Sequence, residues 1–351
     1  MRKVAVILAG GKGERLFPLS TNSKPKQFLN LYNEKSLLEN TLDRLLKIFD
    51  KEDIFVIGRI EDKTIIYEQL FDKISMNNII LEHSSLNTAF SILFSTYVIK
   101  EKLGDVIINV FSSDHYIKNE NEYIDIINKV NENVEDKIIL LGVKPTYPST
   151  QFGYIKTSDN LNQIKSVESF MEKPSLDKAK EYIKNNYLWN SGTFIFKTDT
   201  MLNEFNKYLP EYIKYFNEYF IYKTISMLEL ISFLKPVSID KGIIEKSDKI
   251  LCMKLDAGWM DIGNYNSLDS VLEHDQNNNS INENANYVDC NNCMVIGNKE
   301  NVIIMDVNDL IVSVNDGKIL IMKKTSDILK LRRIRWLIYI FILQGLMGVD
   351  R

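Results

Sequence analysis

Gly10, Gly11 and Gly13 place three glycines within four positions, directly after the apolar run Val4-Ala5-Val6-Ile7-Leu8. A run of that kind reads as a buried strand. Glycines that follow it make a loop whose backbone N–H groups can turn outward and let an anion approach closely. Arg15, and Lys26 within Pro25-Lys26-Gln27-Phe28, add two cations to the same neighbourhood. The chemistry is that of a polyphosphate cradle. The loop fails two familiar patterns. Gly13 is followed by Glu14-Arg15, not by the Lys-Ser/Thr of a P-loop, and Leu16 stands where a dinucleotide fingerprint needs its third glycine. A tight strand-to-helix turn with no ligand remains the plain alternative for the glycines alone.

A second candidate is Asp114, which follows the apolar stretch Val106–Phe111 and precedes His115. A carboxylate at the end of a strand suits Mg²⁺, which takes one or two carboxylates together with phosphate oxygens and water. Its alternative is a cap on the next segment. His115 is read as structural, because an already ionised phosphate needs no proton removed. Cys290-x-x-Cys293 lacks a second ligand pair and reads as two reduced thiols in a turn.

Taken together, Gly-Gly-x-Gly-x-Arg-Leu-x-Pro-Leu-Ser and Pro-Lys-Gln-Phe resemble the signature of the mannose-1-phosphate guanylyltransferases, in the sugar-phosphate nucleotidylyltransferase superfamily, over roughly residues 2 to 325. The resemblance implies transfer of GMP from GTP to α-D-mannose 1-phosphate, with Mg²⁺ as cofactor. It assigns the nucleotide to Leu8, Ala9, Gly10, Gly11, Gly13, Arg15, Lys26, Asn87, Thr88 and Asp114. Asp261, in Trp259-Met260-Asp261-Ile262-Gly263, matches the family's second metal-binding carboxylate beside Asp114. Gly153, Glu172 and Lys173 of Phe-x-Glu-Lys-Pro, Asn190 of Trp-Asn-Ser-Gly, and Asp240 of Ser-Ile-Asp match the sugar-phosphate site, with Glu245-Lys246 completing that last element. Arg15, Lys26, Asp114, Lys173 and Asp261 are thereby implied to carry catalysis. Two departures stand out. Leu86 replaces an arginine of the family's Arg-Asn-Thr-Ala-Pro, which weakens the case for guanine, and Ser112 replaces a proline before Ser-Asp-His. A sister transferase with another sugar or nucleotide, and a non-catalytic sensing subunit, are the competing readings.

These residues must be positioned by the elements around them. The first half alternates strand and helix patterns, from Val4–Leu8 through Ile138–Leu141, and predicts a Rossmann-like, mostly parallel sheet covered on both faces. Ligands of such a sheet bind beyond the carboxyl ends of its strands, where the glycine loop and Asp114 both fall. Tyr154–Lys156 and Val167–Glu172 read as antiparallel strands, Leu202–Leu234 as aromatic-rich helix, and Gln276–Asn286 as an Asn-rich linker. After it, short apolar runs divided by Asn, Gly and Asp turns give an all-β pattern with no visible fixed period. The expected organisation is a GT-A-like nucleotidyltransferase domain over residues 1–275, a small β-helix-like module over 287–330, assigned on resemblance, and an apolar tail over 331–351.

Composition limits the partners. The net charge of −4 offers no basic field to nucleic acid. Three cysteines are too few for a disulfide framework. No secretory signal precedes the first strand, so the cytoplasm is expected. A homodimer is the expected assembly. The tail, Arg332-Arg333-Ile334-Arg335 before Trp336–Leu343, is shorter than the roughly 20 residues of a membrane span and is read as a last element packed on the body or a terminal extension foreign to the family pattern, in preference to an interfacial anchor.

Overall fold

The computed structural model describes the chain through Lys330 except residues 12, 84–85, 159–163, 298–300 and 327–329; the expected tail, 331–351, lies outside the described residues. The chain gathers into two compact units. One comprises Met1–Gly10 and Leu38–Trp259, the other Gly11–Leu37 and Met260–Arg351.

In chain order the first unit runs β1 (Lys3–Leu8), α1 (Leu37–Leu45), β2 (Ile54–Arg59), α2 (Lys63–Leu70), β3 (Ile79–Glu82), α3 (Thr88–Leu103), β4 (Ile107–Ser112), a short β5 (His115–Ile117), α4 (Glu120–Asn131) and β6 (Ile138–Val143). It continues with β7 (Gly153–Thr157), β8 (Lys165–Glu172), α5 (Leu176–Lys184), β9 (Leu188–Lys197), α6 (Thr198–Tyr208), α7 (Pro210–Phe220), α8 (Met227–Phe233) and β10 (Ile250–Lys254), and the chain leaves it in β11 (Trp259–Asp261). The sheet has nine strands in the order β3-β2-β1-β4-β9-β6-β10-β8-β7.

The parallel pairing expected of the alternating half holds from β3 to β4. Beyond β4 the sheet is mixed, because β9 enters antiparallel to both β4 and β6. This fixes the site. Leu8 stands level with Ile57 of β2 and Ser112 of β4, and the Ser113 amide donates to the Leu8 carbonyl at 3.1 Å. Gly10 and Asp114 therefore leave neighbouring strands at one edge. An antiparallel β9 brings its first residues to that edge too, with Asn190 opposite Gly142 and Trp189 opposite Val143.

Burial explains why these segments order. All but the outermost residues of β1 are inaccessible, and α3 is buried on most of its circumference, including Phe90, Leu93 and Thr96. Phe90 stacks on Phe94 at 5.6 Å and meets Phe216 of α7 edge-on at 5.4 Å. Aromatic pairs in these geometries add to the plain burial of their area. The Leu202–Leu234 stretch, read as one helical region, is divided between three helices. Pro210 starts α7 because its ring fits a first helical turn and no later one, and Ser226 starts α8 through a capping box with Glu229. Among the described residues no helix is long and apolar enough to cross a membrane.

The second unit carries α9 (Tyr265–Asp269) and five strands, β12 (Ala285–Val288), β13 (Met294–Gly297), β14 (Val302–Met305), β15 (Leu310–Asn315) and β16 (Lys318–Lys323). β12 pairs with β14 and β13 with β15, both parallel, and β15 turns at Asp316-Gly317 into antiparallel β16. The Asn291 amide and side chain reach Asn308 and Asn292 reaches Asp309, each across 17 residues. Ala285 opposite Val302 and Met294 opposite Ile311 keep that same offset. The module thus has a 17-residue rung that the sequence pattern conceals. Its corners are Asp289, Asn292, Asp306 and Asp309, all in the left-handed backbone region, where Asn and Asp are the non-glycine residues best tolerated. The Asn-rich stretch before it is no loose linker: Asn279 and Ser280 are buried, and the Asn279 side chain bonds Asp275, the Cys290 carbonyl and the Cys293 amide. Cys252, Cys290 and Cys293 are free thiols.

Candidate active site

The residues singled out in the sequence fall into groups that each unit assembles by itself. In the second unit the loop after Gly10 is built around Gly13. Its φ is +59°, and a Cβ added there would lie 2.1 Å from the Cβ of Lys26. Only glycine permits that approach. Ser20 Oγ donates to the Gly13 carbonyl at 2.6 Å. Gly11 faces open space instead, with nothing within 4 Å of a would-be Cβ. Arg15 sits in the short 3₁₀ turn Glu14–Leu16, partly exposed.

Lys26 opens a second 3₁₀ turn, Lys26–Phe28, after Pro25. Its ammonium donates to Asp261 Oδ1 at 2.9 Å, with the lysine side chain 6% and the aspartate 26% accessible. A cation this buried needs a counter-charge, and Asp261 supplies it while keeping part of its carboxylate toward solvent. The loop's far side is braced within the same unit. The Tyr265 hydroxyl lies 3.2 Å from the Leu16 carbonyl, 3.0 Å from that of Phe17 and 2.8 Å from Ser313 Oγ, and Asn315 Nδ2 donates to the Pro18 carbonyl at 2.8 Å.

In the first unit, Leu8, Ala9 and Gly10 lie at the carboxyl edge of β1, where the Ala9 amide donates to the Ile57 carbonyl at 2.8 Å. Asn87 caps α3 from the left-handed region, φ +70°, its side chain accepting from the Thr88 amide at 2.8 Å. Thr88 Oγ1 in turn accepts from the Ile239 amide at 2.9 Å, tying α3 to the segment that carries Asp240. Leu86, where the resemblance expects an arginine, is 6% exposed and packs in the main core. Asp114 is one-third accessible and its carboxylate is 4.0 Å from His115 Nε2. The His115 ring lies edge-on to Trp259, and its carbonyl accepts from Arg44, which supports a structural role.

The sugar-site candidates converge by strand register. Gly153 stands opposite Glu172, and Tyr154 opposite Trp189. A Cβ on Gly153 would lie 2.8 Å from Glu172 Oε2 and 3.3 Å from Asn190 Cβ. Asn190 Nδ2 donates to Asp240 Oδ1 at 3.0 Å, the Glu172 amide donates to Glu245 Oε1 at 2.8 Å, and Lys173 Nζ pairs with Glu172 Oε1 at 2.9 Å. Lys173 holds φ +49°, a costly value for lysine, with its amide on the Phe152 carbonyl at 3.2 Å. Three carboxylates around one amide and one ammonium form a wall of acceptors suited to hydroxyl donors. Beside it, Phe152 packs on Trp189 at 4.9 Å and on Trp259 at 5.7 Å, and the Nε1 atoms of both tryptophans are buried without a hydrogen-bond partner.

Sequence reasoning missed Glu82, which ends β3. It is 4% exposed, accepts from Ser91 Oγ at 2.7 Å, and places Oε1 3.2 Å from where a Gly10 Cβ would be. A glutamate closing an apolar strand reads as a surface residue, so no sequence signal pointed inward.

Burial, reinforced by the Glu172 charge, pushes the Asp240 carboxyl up to about 7, and burial pushes Glu82 to about 7 against the opposing Ser91 hydrogen bond. Both groups hold their protons to higher pH in the folded chain than in the unfolded one. The folded state therefore binds more protons, and stability falls as pH rises to about 7, from about 3.8 for Asp240 and about 4.5 for Glu82. Thermal unfolding of the ligand-free protein is expected to show this decline, and Asp240→Asn to flatten part of it. Parallel curves for the two proteins would mean that Asp240 titrates as an ordinary surface carboxylate.

Residues 4–278 match the family model described as nucleotidyl transferase. The chain is 31% identical over 361 residues to the mannose-1-phosphate guanylyltransferase RfbM of Salmonella typhimurium, covering 94% of this chain and 73% of that one. It is 31% identical over 332 residues to the mannose-1-phosphate guanylyltransferase of Salmonella montevideo, covering 88% and 68%. A crystal structure from Thermus thermophilus, titled mannose-1-phosphate geranyltransferase, superposes with a TM-score of 0.86 at 30% identity, over 92% of this chain and 96% of that one. The chain belongs to the nucleotidyl transferase family, and within it to the mannose-1-phosphate guanylyltransferases.

Proposed function

We propose that the protein transfers the guanylyl group of GTP to α-D-mannose 1-phosphate, releasing pyrophosphate and forming GDP-mannose. The observation that carries this reading is Lys26, buried against Asp261 beneath a glycine loop: a cation and a carboxylate beside a backbone cradle suit a polyphosphate and a divalent ion. The identity of sugar and base follows the relatives' names.

In the reaction a phosphate oxygen of the sugar phosphate attacks the α-phosphorus of GTP. The new P–O bond forms as the bond to the β-phosphate oxygen breaks, and the electron pair leaves with pyrophosphate. The nucleophile is anionic at neutral pH, so no residue need take a proton. Positioning and charge stabilisation supply the rate. Gly11, Gly13, Arg15 and Lys26 would hold the triphosphate; Leu8, Ala9, Gly10, Asn87 and Thr88 the nucleoside. Gly153, Glu172, Asn190 and Asp240 would take the sugar hydroxyls, and Lys173 its phosphate.

Members of this family use a divalent metal, and here we propose Mg²⁺. Asp114 and Asp261 each offer a partly accessible carboxylate, 33% and 26%, and hard oxygen donors of that kind fit the ion. When bound, the metal neutralises phosphate charge. We also place the enzyme in the cytoplasm, as a homodimer.

The test is pyrophosphate release with Mg²⁺ across GTP, dTTP, UTP and ATP, each with mannose 1-phosphate and glucose 1-phosphate. Release is expected with GTP and mannose 1-phosphate. Turnover confined to another pair would change the substrate, and none with any pair would leave a sensing subunit.

A further inference from the structure

We propose that Arg44 is a positioning residue for Asp114: one buried guanidinium nitrogen holds the peptide groups on both sides of that aspartate and so aims its carboxylate. The inference rests on the reading of Asp114 as a metal ligand in the proposed reaction.

Three observations carry it. First, Asp114 sits in the tight turn between β4 and β5, and the carbonyls that flank it belong to Ser113 and His115. Arg44 Nη2 donates to the His115 carbonyl at 3.3 Å and to Thr41 Oγ1 at 3.1 Å, and the Thr41 hydroxyl donates onward to the Ser113 carbonyl at 3.3 Å. Both sides of Asp114 are thus tied to one nitrogen, while the Ser113 amide is held by the Leu8 carbonyl. Second, the clamp is buried and the carboxylate it serves is open. Thr41 and Arg44 lie three residues apart on one face of α1, and are 2% and 3% exposed. Asp114 keeps a third of its side chain accessible. Third, folding alone gives a poor reason for a cation at this position. Among the described residues the carboxylate paired with Arg44 is Glu120, whose Oε1 stands 3.9 Å from Nη1 and whose Oε2 is taken by Lys47 at 2.6 Å. An ion pair that long offsets little of the cost of burying a guanidinium, and an apolar side chain of similar volume would fold as well or better.

The bonds of Nη2 lead to backbone carbonyls and not to a reacting group, so the effect is one of place. Mg²⁺ demands near-octahedral oxygens, and a carboxylate free to swing binds it less well. Acting only as a charge, Arg44 would repel a divalent ion, and weakening its hold would tighten binding. Acting as a clamp, it holds the carboxylate ready, and weakening its hold loosens binding. The two effects differ in sign, which makes them separable.

The test is Mn²⁺ uptake by the complex of the protein with GDP-mannose, read from the loss of the free-ion EPR signal. It is made on the wild type, Arg44→Lys and Thr41→Val, with kcat, KM and melting temperature measured beside it. Lysine keeps the charge and loses the planar fork that lets one group bridge both carbonyls. Its Mn²⁺ dissociation constant is expected to rise by at least about tenfold and kcat to fall by a similar factor, the scale of losing a partner that orients a metal ligand. KM for mannose 1-phosphate should stay within about twofold, since the clamp does not touch the sugar site. Thr41→Val keeps the branched shape and deletes the hydroxyl, and a rise of about fivefold is expected, the share of one neutral hydrogen bond. A lowered melting temperature with unchanged Mn²⁺ affinity marks a merely structural role and overturns the inference, as does tighter binding in either variant. If Arg44→Lys does not fold, unchanged affinity in Thr41→Val overturns it alone. A wild-type complex that takes up no Mn²⁺ would remove Asp114 as a metal ligand and this inference with it. A wild type that makes no GDP-mannose would bring down the proposed function instead, and that is read before any variant.

Discussion

Replacing Lys26 with methionine is expected to lower kcat/KM for pyrophosphate release by about two to three decades, the scale of losing one preorganised charge contact in a transition state. The substitution is chosen for what it keeps. The lysine stem packs so closely beneath Gly13 that no Cβ fits there, and methionine preserves the unbranched stem while deleting the ammonium. The ammonium lies only 2.9 Å from Asp261 Oδ1 and is nearly inaccessible, so it is aimed before any ligand arrives and costs little to reorganise during reaction. Negative charge grows on the leaving pyrophosphate, and a fixed cation acts on that growth more than on the ground state. The loss should therefore fall mainly on kcat. Because Asp261 keeps some solvent, removing its partner leaves no fully buried charge behind, and the melting temperature should drop by only a few degrees. A rate within threefold of the wild type would take Lys26 out of the reaction.

Asp261→Asn is expected to be nearly as damaging by a different route. Asparagine keeps the shape, and its carbonyl oxygen can still accept from Lys26. The turn holds through the Gly263 amide on the Asp261 carbonyl at 2.8 Å, a backbone bond that the change leaves alone. What disappears is the negative charge, and with it a ligand for a divalent ion. Turnover at low millimolar Mg²⁺ should fall by at least about a hundredfold, and half-saturating Mg²⁺ should rise, with the melting temperature almost unmoved. A Mg²⁺ titration is the decisive reading. A variant that reaches wild-type rates with the wild-type Mg²⁺ dependence would show that Asp261 serves only as the counter-charge to Lys26.

The parts of this site that the sequence disclosed are those where chemistry constrains the backbone. Gly13 is unavoidable because its φ is positive and Lys26 lies on it; Gly153 is hemmed by Phe170, Glu172 and Asn190. Such residues are fixed locally, and the motif carries the constraint in its letters. What depended on pairing was hidden. Burial of Phe194, Ile195 and Phe196 says that a strand lies in the core, but nothing in those residues says that β9 runs against β4 and β6. The 17-residue rung escaped for a related reason. It is written in turn residues, Asp289 with Asp306 and Asn292 with Asp309, whose shared property is a left-handed backbone and not a shared hydrophobicity. With only two rungs, a periodicity search has little to average. Glu82 was hidden most completely, since only the neighbourhood of β3 and Gly10 gives an end-of-strand glutamate its meaning.

The bracing of the glycine loop also sets an order of events during synthesis. Leu16 and Phe17 reach the Tyr265 hydroxyl across 249 and 248 residues, and Pro18 reaches Asn315 across 297. A ribosome adding roughly 5 to 20 residues per second takes about 15 to 60 seconds to span that interval. The loop is made well before the residues that brace it, and through that interval a nascent chain carries the glycines without the hydroxyl and amide that hold them in shape.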